Sequence, residues 1–197
     1  LPSWRSRMSL IPFGFWAASG GGAAGAFDLL ETTTTSGSPS FITFSGLGSY
    51  SGYKHLQLRI TARSDFGGGL NQLAFRINDV ATSSYAQHSL EGDGTSVTSA
   101  AFASRSNMSA PDSIAGSGAS ANIFGAAVVD ILDFSSTNKN TTIRGLVGTA
   151  ATGDISEPNK IMLFSGMYNS TDAVTSIRCT VTDTWADNSR LSLYGVK

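Results

Sequence analysis

The alternation of apolar and polar residues is clearest over residues 53–64, YKHLQLRITARS, where Leu56, Leu58, Ile60 and Ala62 alternate with His55, Gln57, Arg59 and Thr61. A period of two places one set of side chains on a buried strand face and the other in solvent. The pattern recurs at 72–78, where Leu73, Phe75 and Ile77 oppose Arg76, and at 175–182, where Ile177, Cys179 and Val181 oppose Arg178 and Thr180. Strands are predicted over 27–33, 40–44, 55–63, 72–78, 85–91, 96–104, 121–134, 141–148, 160–168, 175–182 and 190–196. No stretch keeps a helical period. Turn-forming residues fill the gaps, among them Asn78-Asp79, Gly92-Asp93-Gly94, Gly153-Asp154 and Asp187-Asn188. The stretch 107–120, interrupted by Pro111, reads as a surface loop carrying contacts. So many short strands predict two packed sheets, and the expected fold is an all-β antiparallel sandwich of the jelly-roll type.

Ahead of the first strand the pattern changes. Residues 1–26 read as an extended N-terminal arm, with Trp4, Phe13, Phe15 and Trp16 followed by the small-residue run 19–25, and residues 27–197 form the sandwich domain. Tethered aromatics mark an interaction surface, so these four are the expected partner-docking anchors. The competing expectation is that the arm folds back on its own domain. Arg5 and Arg7 before the apolar stretch 8–18 imitate a secretory signal, but Pro12 and Gly14 spoil it as a helix. Met8 is an alternative translation start. No run approaches the roughly 20 apolar residues of a membrane helix.

Composition removes several function classes. With 14% charged residues and a formal net charge of −1, nothing advertises a nucleic-acid partner. Cys179, the single cysteine, can form no internal disulfide and is expected on an inward strand face. His55 and His88 read as ordinary surface imidazoles, and no nucleophile and base stand in a pattern that requires catalysis. Residues 20–25 spell G-x-G-x-x-G, but no strand precedes them and no helix follows, so a dinucleotide site is not expected. Glu91, Asp93, Asp130 and Asp133 are assigned to turns and strand edges, not to calcium, and two histidines with one cysteine give no zinc spacing. No metal, cofactor or catalytic residue is expected. Arg59, Arg76, Arg144 and Arg178 each interrupt a strand near its middle. They read as edge protection, or, if their strands are neighbours, as a shared face pairing with acids of another subunit. Tyr50, Tyr53, Tyr85, Tyr168 and Trp185 fall in or near predicted loops, where they serve strand-end packing or, as an alternative, a glycan platform.

Four pieces of the chain carry a resemblance. They are residues 8–12, MSLIP, running through GFWAAS to the glycine run; residues 53–59, YKHLQLR, with 62–64, ARS; residues 129–134, VDILDF, running into 137–141, TNKNT; and the ending 189–197, SRLSLYGVK. In this order they resemble a family of bacteriophage virion structural proteins, tail-fibre-like or head-decoration proteins of tailed phages of aquatic bacteria. The resemblance covers almost the whole chain except residues 1–7 and transfers no catalytic residues. It implies a non-enzymatic virion component with a β-sandwich body and an attachment arm, made in the host cytoplasm and assembled as a homotrimer. Its partners would be like subunits and other virion proteins of head or tail, not nucleic acid or membrane. A host-surface glycan is the alternative partner.

Overall fold

The computed structural model describes residues 25–150 and 159–197. The aromatic arm with Trp4, Phe13, Phe15 and Trp16, and the Gly153-Asp154 turn, lie outside the described residues. In chain order the strands are β1 (Phe27–Thr34), β2 (Phe41–Ser45), β3 (His55–Ala62), β4 (Leu70–Ile77), β5 (Tyr85–Gly92) and β6 (Val97–Arg105). They continue with β7 (Met108–Ala115), β8 (Gly125–Leu132), β9 (Thr141–Thr149), β10 (Lys160–Tyr168), β11 (Ser176–Val181) and β12 (Arg190–Val196). One 3-10 turn, Leu47–Tyr50, separates β2 from β3.

The strands form two antiparallel sheets, one of eight in the order β1-β12-β3-β8-β9-β10-β5-β6 and one of four in the order β2-β11-β4-β7. Setting aside the pairs β5/β6 and β9/β10 leaves β1-β12-β3-β8 facing β2-β11-β4-β7, with the chain passing from sheet to sheet at every remaining connection except that from β4 to its neighbour β7. That alternation is the double Greek key of a jelly roll. The two inserted pairs extend the larger sheet beyond β8. The expected all-β sandwich is the fold.

Alternation decides what enters the core. Leu56, Leu58 and Ile60 of β3 meet Leu73, Phe75 and Ile77 of β4, Ile177 and Cys179 of β11, and Leu191 and Leu193 of β12 in one apolar cluster with Phe44, Phe134 and Trp185. Gly145 is needed inside it, because the Phe164 ring lies so close that a Cβ would stand 2.5 Å from its Cε1. The Asn78-Asp79 turn, both residues having φ of 53°, carries the chain from the smaller sheet to the larger. Tyr85 locks it: the Ile77 amide donates to the Tyr85 hydroxyl at 2.8 Å, and that hydroxyl donates to the Val80 carbonyl at 3.1 Å. Burial pushes the phenol pKa up to about 12.

The stretch expected as a loop at 107–120 is instead mostly β7, an edge strand of the smaller sheet. Pro111 is tolerated because it sits in a bulge: β4 pairs Asn71 with Ile114 and Leu73 with Ala110, leaving residues 111–113 opposite Gln72 alone. The far side of β7 is closed by side chains of the facing sheet. The buried Gln87 amide donates to the Ser109 carbonyl at 2.7 Å and accepts from the Ser109 amide at 3.0 Å, as a neighbouring strand would. Thr149 donates to the Ser113 carbonyl at 2.5 Å, and Lys160 pairs with Asp112 at 2.6 Å. Replacing Gln87 by Leu should therefore leave two backbone groups unpaired and cost about 2 kcal/mol or more. Urea unfolding checks this, with a lower midpoint and an unchanged slope expected.

Candidate functional site

The feature with most functional content is the outer face of the larger sheet. Its central row runs Arg59, Val128, Leu146, Leu163, Leu90 and Ser99, each directly paired with the next across β3, β8, β9, β10, β5 and β6. Val128 is 42% exposed, Leu146 50%, Leu163 56% and Leu90 50%, so four aliphatic side chains stand side by side in water. On one flank the row Thr61, Ala126, Gly148, Ile161, Gly92 and Val97 extends the apolar surface, with Ile161 57% and Val97 72% exposed. Gly148 and Gly92 give the stripe shallow hollows beside Ile161.

The other flank is polar and fixed. Asp130 accepts from Gln57 Nε2 at 2.8 Å and from Arg144 Nε at 3.0 Å, while Arg59 Nε donates to Gln57 Oε1 at 2.8 Å. The Arg59 guanidinium also stacks 4.3 Å from the Tyr194 ring centre and 4.9 Å from that of Phe27. Arg59 and Arg144 thus stand on one face, tied through Gln57 and Asp130. Arg76 and Arg178 do not join them. They are paired with each other across β4 and β11 of the smaller sheet, because the strands bearing the four arginines belong to different layers. Arg178 Nη1 lies 3.0 Å from both carboxylate oxygens of Asp79 and its guanidinium 3.9 Å from the Phe41 ring centre, which offsets the like charge of Arg76.

Of the five aromatics considered for a glycan platform, Tyr85, Tyr168 and Trp185 are buried in the core. Tyr85 and Tyr168 pack on each other at 5.2 Å, and none of the three offers a ring face to solvent. Tyr50 and Tyr53 are half-buried against the core, and the Tyr53 hydroxyl donates to Asp28 at 3.0 Å. The carboxylates have structural partners. Asp93 accepts from the amides and hydroxyls of Thr95 and Ser96, which hold its carboxyl far below the usual range. Asp133 binds Lys139 and stands 3.5 Å from His55, whose Nδ1 accepts from the Asp133 amide at 2.9 Å. His88 is exposed on the outer face of β5. Among the described residues no group of three or more His, Cys, Asp and Glu is placed to hold a metal ion.

Two functional groups went unread in the sequence. Arg63 stands at the end of a predicted strand, yet its guanidinium donates to the carbonyls of Ser117, Ala119, Ser120 and Ile123 at 2.8–3.3 Å and gathers the loop between β7 and β8. No local pattern announces a clamp of that span. The apolar stripe did leave a signal. Ala126 to Val129 in β8, Leu146-Val147 in β9 and Ile161 to Phe164 in β10 are unbroken apolar runs, the mark of strands covered on both faces.

Comparison with known proteins adds little. No family model and no curated protein matches the chain. A solved structure of a protein of unknown function from Shewanella oneidensis MR-1 aligns over 87% of this chain and 76% of that one, with 8% identity and a TM-score of 0.24.

Two outcomes follow from these environments. Cys179 is fully buried and its thiol is pushed far up, so thiol reagents should label it only as fast as the protein unfolds. Labelling in rising denaturant reads this. The bonded Lys139 ammonium holds the Asp133 carboxyl below the usual carboxylate range. A depressed native pKa contributes stability that is present above the unfolded value near 3.9 and disappears as pH falls through the native value. Removing the cation in Lys139→Ala should flatten the stability curve on its acid limb, below about pH 4, in thermal melts across pH.

Proposed function

We propose that this chain is a non-enzymatic structural component of a bacteriophage virion, a head-decoration or tail-fibre-like protein assembled in the host cytoplasm with like subunits. The supporting observation is the two-sided apolar writing of β8, β9 and β10. Val129, Val147, Met162 and Phe164 fill the core, while Val128, Leu146, Ile161 and Leu163 repeat that chemistry on the face in water. The stripe amounts to roughly 500 Å² of apolar surface, the size of the largest patch on a typical monomer, which is often functional. Its polar flank, with Arg59 and Arg144 held in place, has the character of an interface rim.

In this reading the stripe packs against a neighbouring subunit in a homotrimer, and the arm with Trp4, Phe13, Phe15 and Trp16 docks on another virion protein. The trimer and the docking rest on the family resemblance. The glycan-binding alternative loses support, since three of its five aromatics are enclosed.

Placing charges in the stripe tests the assembly. Leu146→Glu with Leu163→Glu, both on exposed positions, should leave the circular dichroism spectrum unchanged and lower the sedimenting mass below that of the wild-type protein. A wild-type protein already at single-chain mass would overturn the reading. Deleting residues 1–26 should leave a folded body that no longer joins particles, and a truncated protein that still decorated them would rule out arm docking.

A further inference from the structure

The larger sheet ends at β6, and the fold treats this edge unlike those at β1 and β7, while the fourth edge, β2, is only five residues long. β1 carries Asp28 and Glu31, charges that discourage a foreign strand, and β7 is closed by Gln87 and Thr149. β6 has neither device. Val97 to Ser104 contains no charge and no proline, and among the described residues no strand pairs with its far side. Its burial is slight along its whole length, because the smaller sheet does not extend beneath it. On the inner side Phe102, paired with Gln87, is still 37% exposed. The ladder with β5 is regular from Val97 to Phe102, and a bulge that includes Ser104, with φ of 56°, precedes the last pair, Arg105 with Tyr85. A long, uncharged edge is a template for strand addition.

We propose that β6 pairs antiparallel with β6 of a second copy of this chain, about a two-fold axis through Ala100, joining two larger sheets into one. The occupant is argued from self-complementarity. The charge-free run 97–103 is centred on Ala100, so this register sets Val97 opposite Ala103, Thr98 opposite Phe102 and Ser99 opposite Ala101. Small residues at the centre allow close approach. Arg105 falls opposite Thr95 of the other copy, within the turn that holds Asp93, so each end of the ladder brings a cation to an acidic turn. No like charges meet. The axis keeps both outer faces on the same side, so the two apolar stripes become one continuous surface. The contact is separate from the stripe packing proposed above and does not depend on it.

Engineered thiols read the register, since Cys179 is buried and does not compete. Ala100→Cys should give a disulfide-linked dimer on mild oxidation, because residues opposed across an antiparallel pair stand at bridging distance. Its rate should exceed that of Thr34→Cys on the opposite edge by on the order of tenfold, reflecting the raised effective concentration of held thiols. Val97→Cys mixed with Ala103→Cys should cross-link to each other and not to themselves. Adding Ala101→Lys, an edge charge on an exposed position, should slow the Ala100→Cys reaction to the control rate. Equal rates at residues 100 and 34, or no effect of the lysine, would falsify the pairing. The stripe variant Leu146→Glu should leave the Ala100→Cys cross-link intact, so loss of stripe packing and loss of edge pairing are read separately.

Discussion

Strands in a sheet lie roughly 4.8 Å apart, so a layer of four covers only about half of a layer of eight, and the molecule is arranged around that shortfall. The smaller sheet covers β12, β3 and β8 and lies only partly over β1, no residue of which is buried, and it reaches the inserted strands only through its edge, β7. That edge therefore has two duties. It buries Met108, Ala110 and Ile114 over the inserted strands, and it must satisfy backbone groups that no strand pairs. Gln87 solves the second problem with an amide that imitates a strand. Beyond β7 the cover runs out, and β6 stands nearly uncovered on both sides.

The outer face shows the same tension between coverage and exposure. Four paired aliphatics in water forgo roughly 1–2 kcal/mol each relative to burial, which a fold with free choice of surface residues would not forgo. The polar flank differs: Asp130 is shared between Gln57 and Arg144, and Arg59 is sandwiched between hydrogen bond and rings. Ordering long side chains before a partner arrives lowers the entropy lost when it does. A rigid polar border beside an apolar strip suits contact with another protein better than contact with a solute.

Much of the fold was legible because alternation is a local property. Leu56, Leu58 and Ile60 announce their inward face within a few residues, and turn pairs such as Asn78-Asp79 bound the strands that they connect. β7 escaped because its pattern is broken by Pro111 and small residues, and its place as a strand depends on β4 and on the remote Gln87. The arginines were visible one by one, but not their separation onto two sheets, since strand order is set by contacts far apart in sequence. Tyr85 and Trp185 looked like loop aromatics for a related reason: position near a strand end says nothing about whether the neighbouring layer closes over it.

The last strand of the chain lies between the first and the third. β12 hydrogen-bonds to β1 on one side and β3 on the other, so these two cannot meet until residues 190–196 have left the ribosome. A nascent chain would hold Leu56, Leu58 and Ile60 on an open edge from the emergence of β3 until that of β12, a span in which unpaired strands invite misassembly. The order of strands thus makes closure of this sheet wait on pairings far apart in sequence, the kind that form slowly.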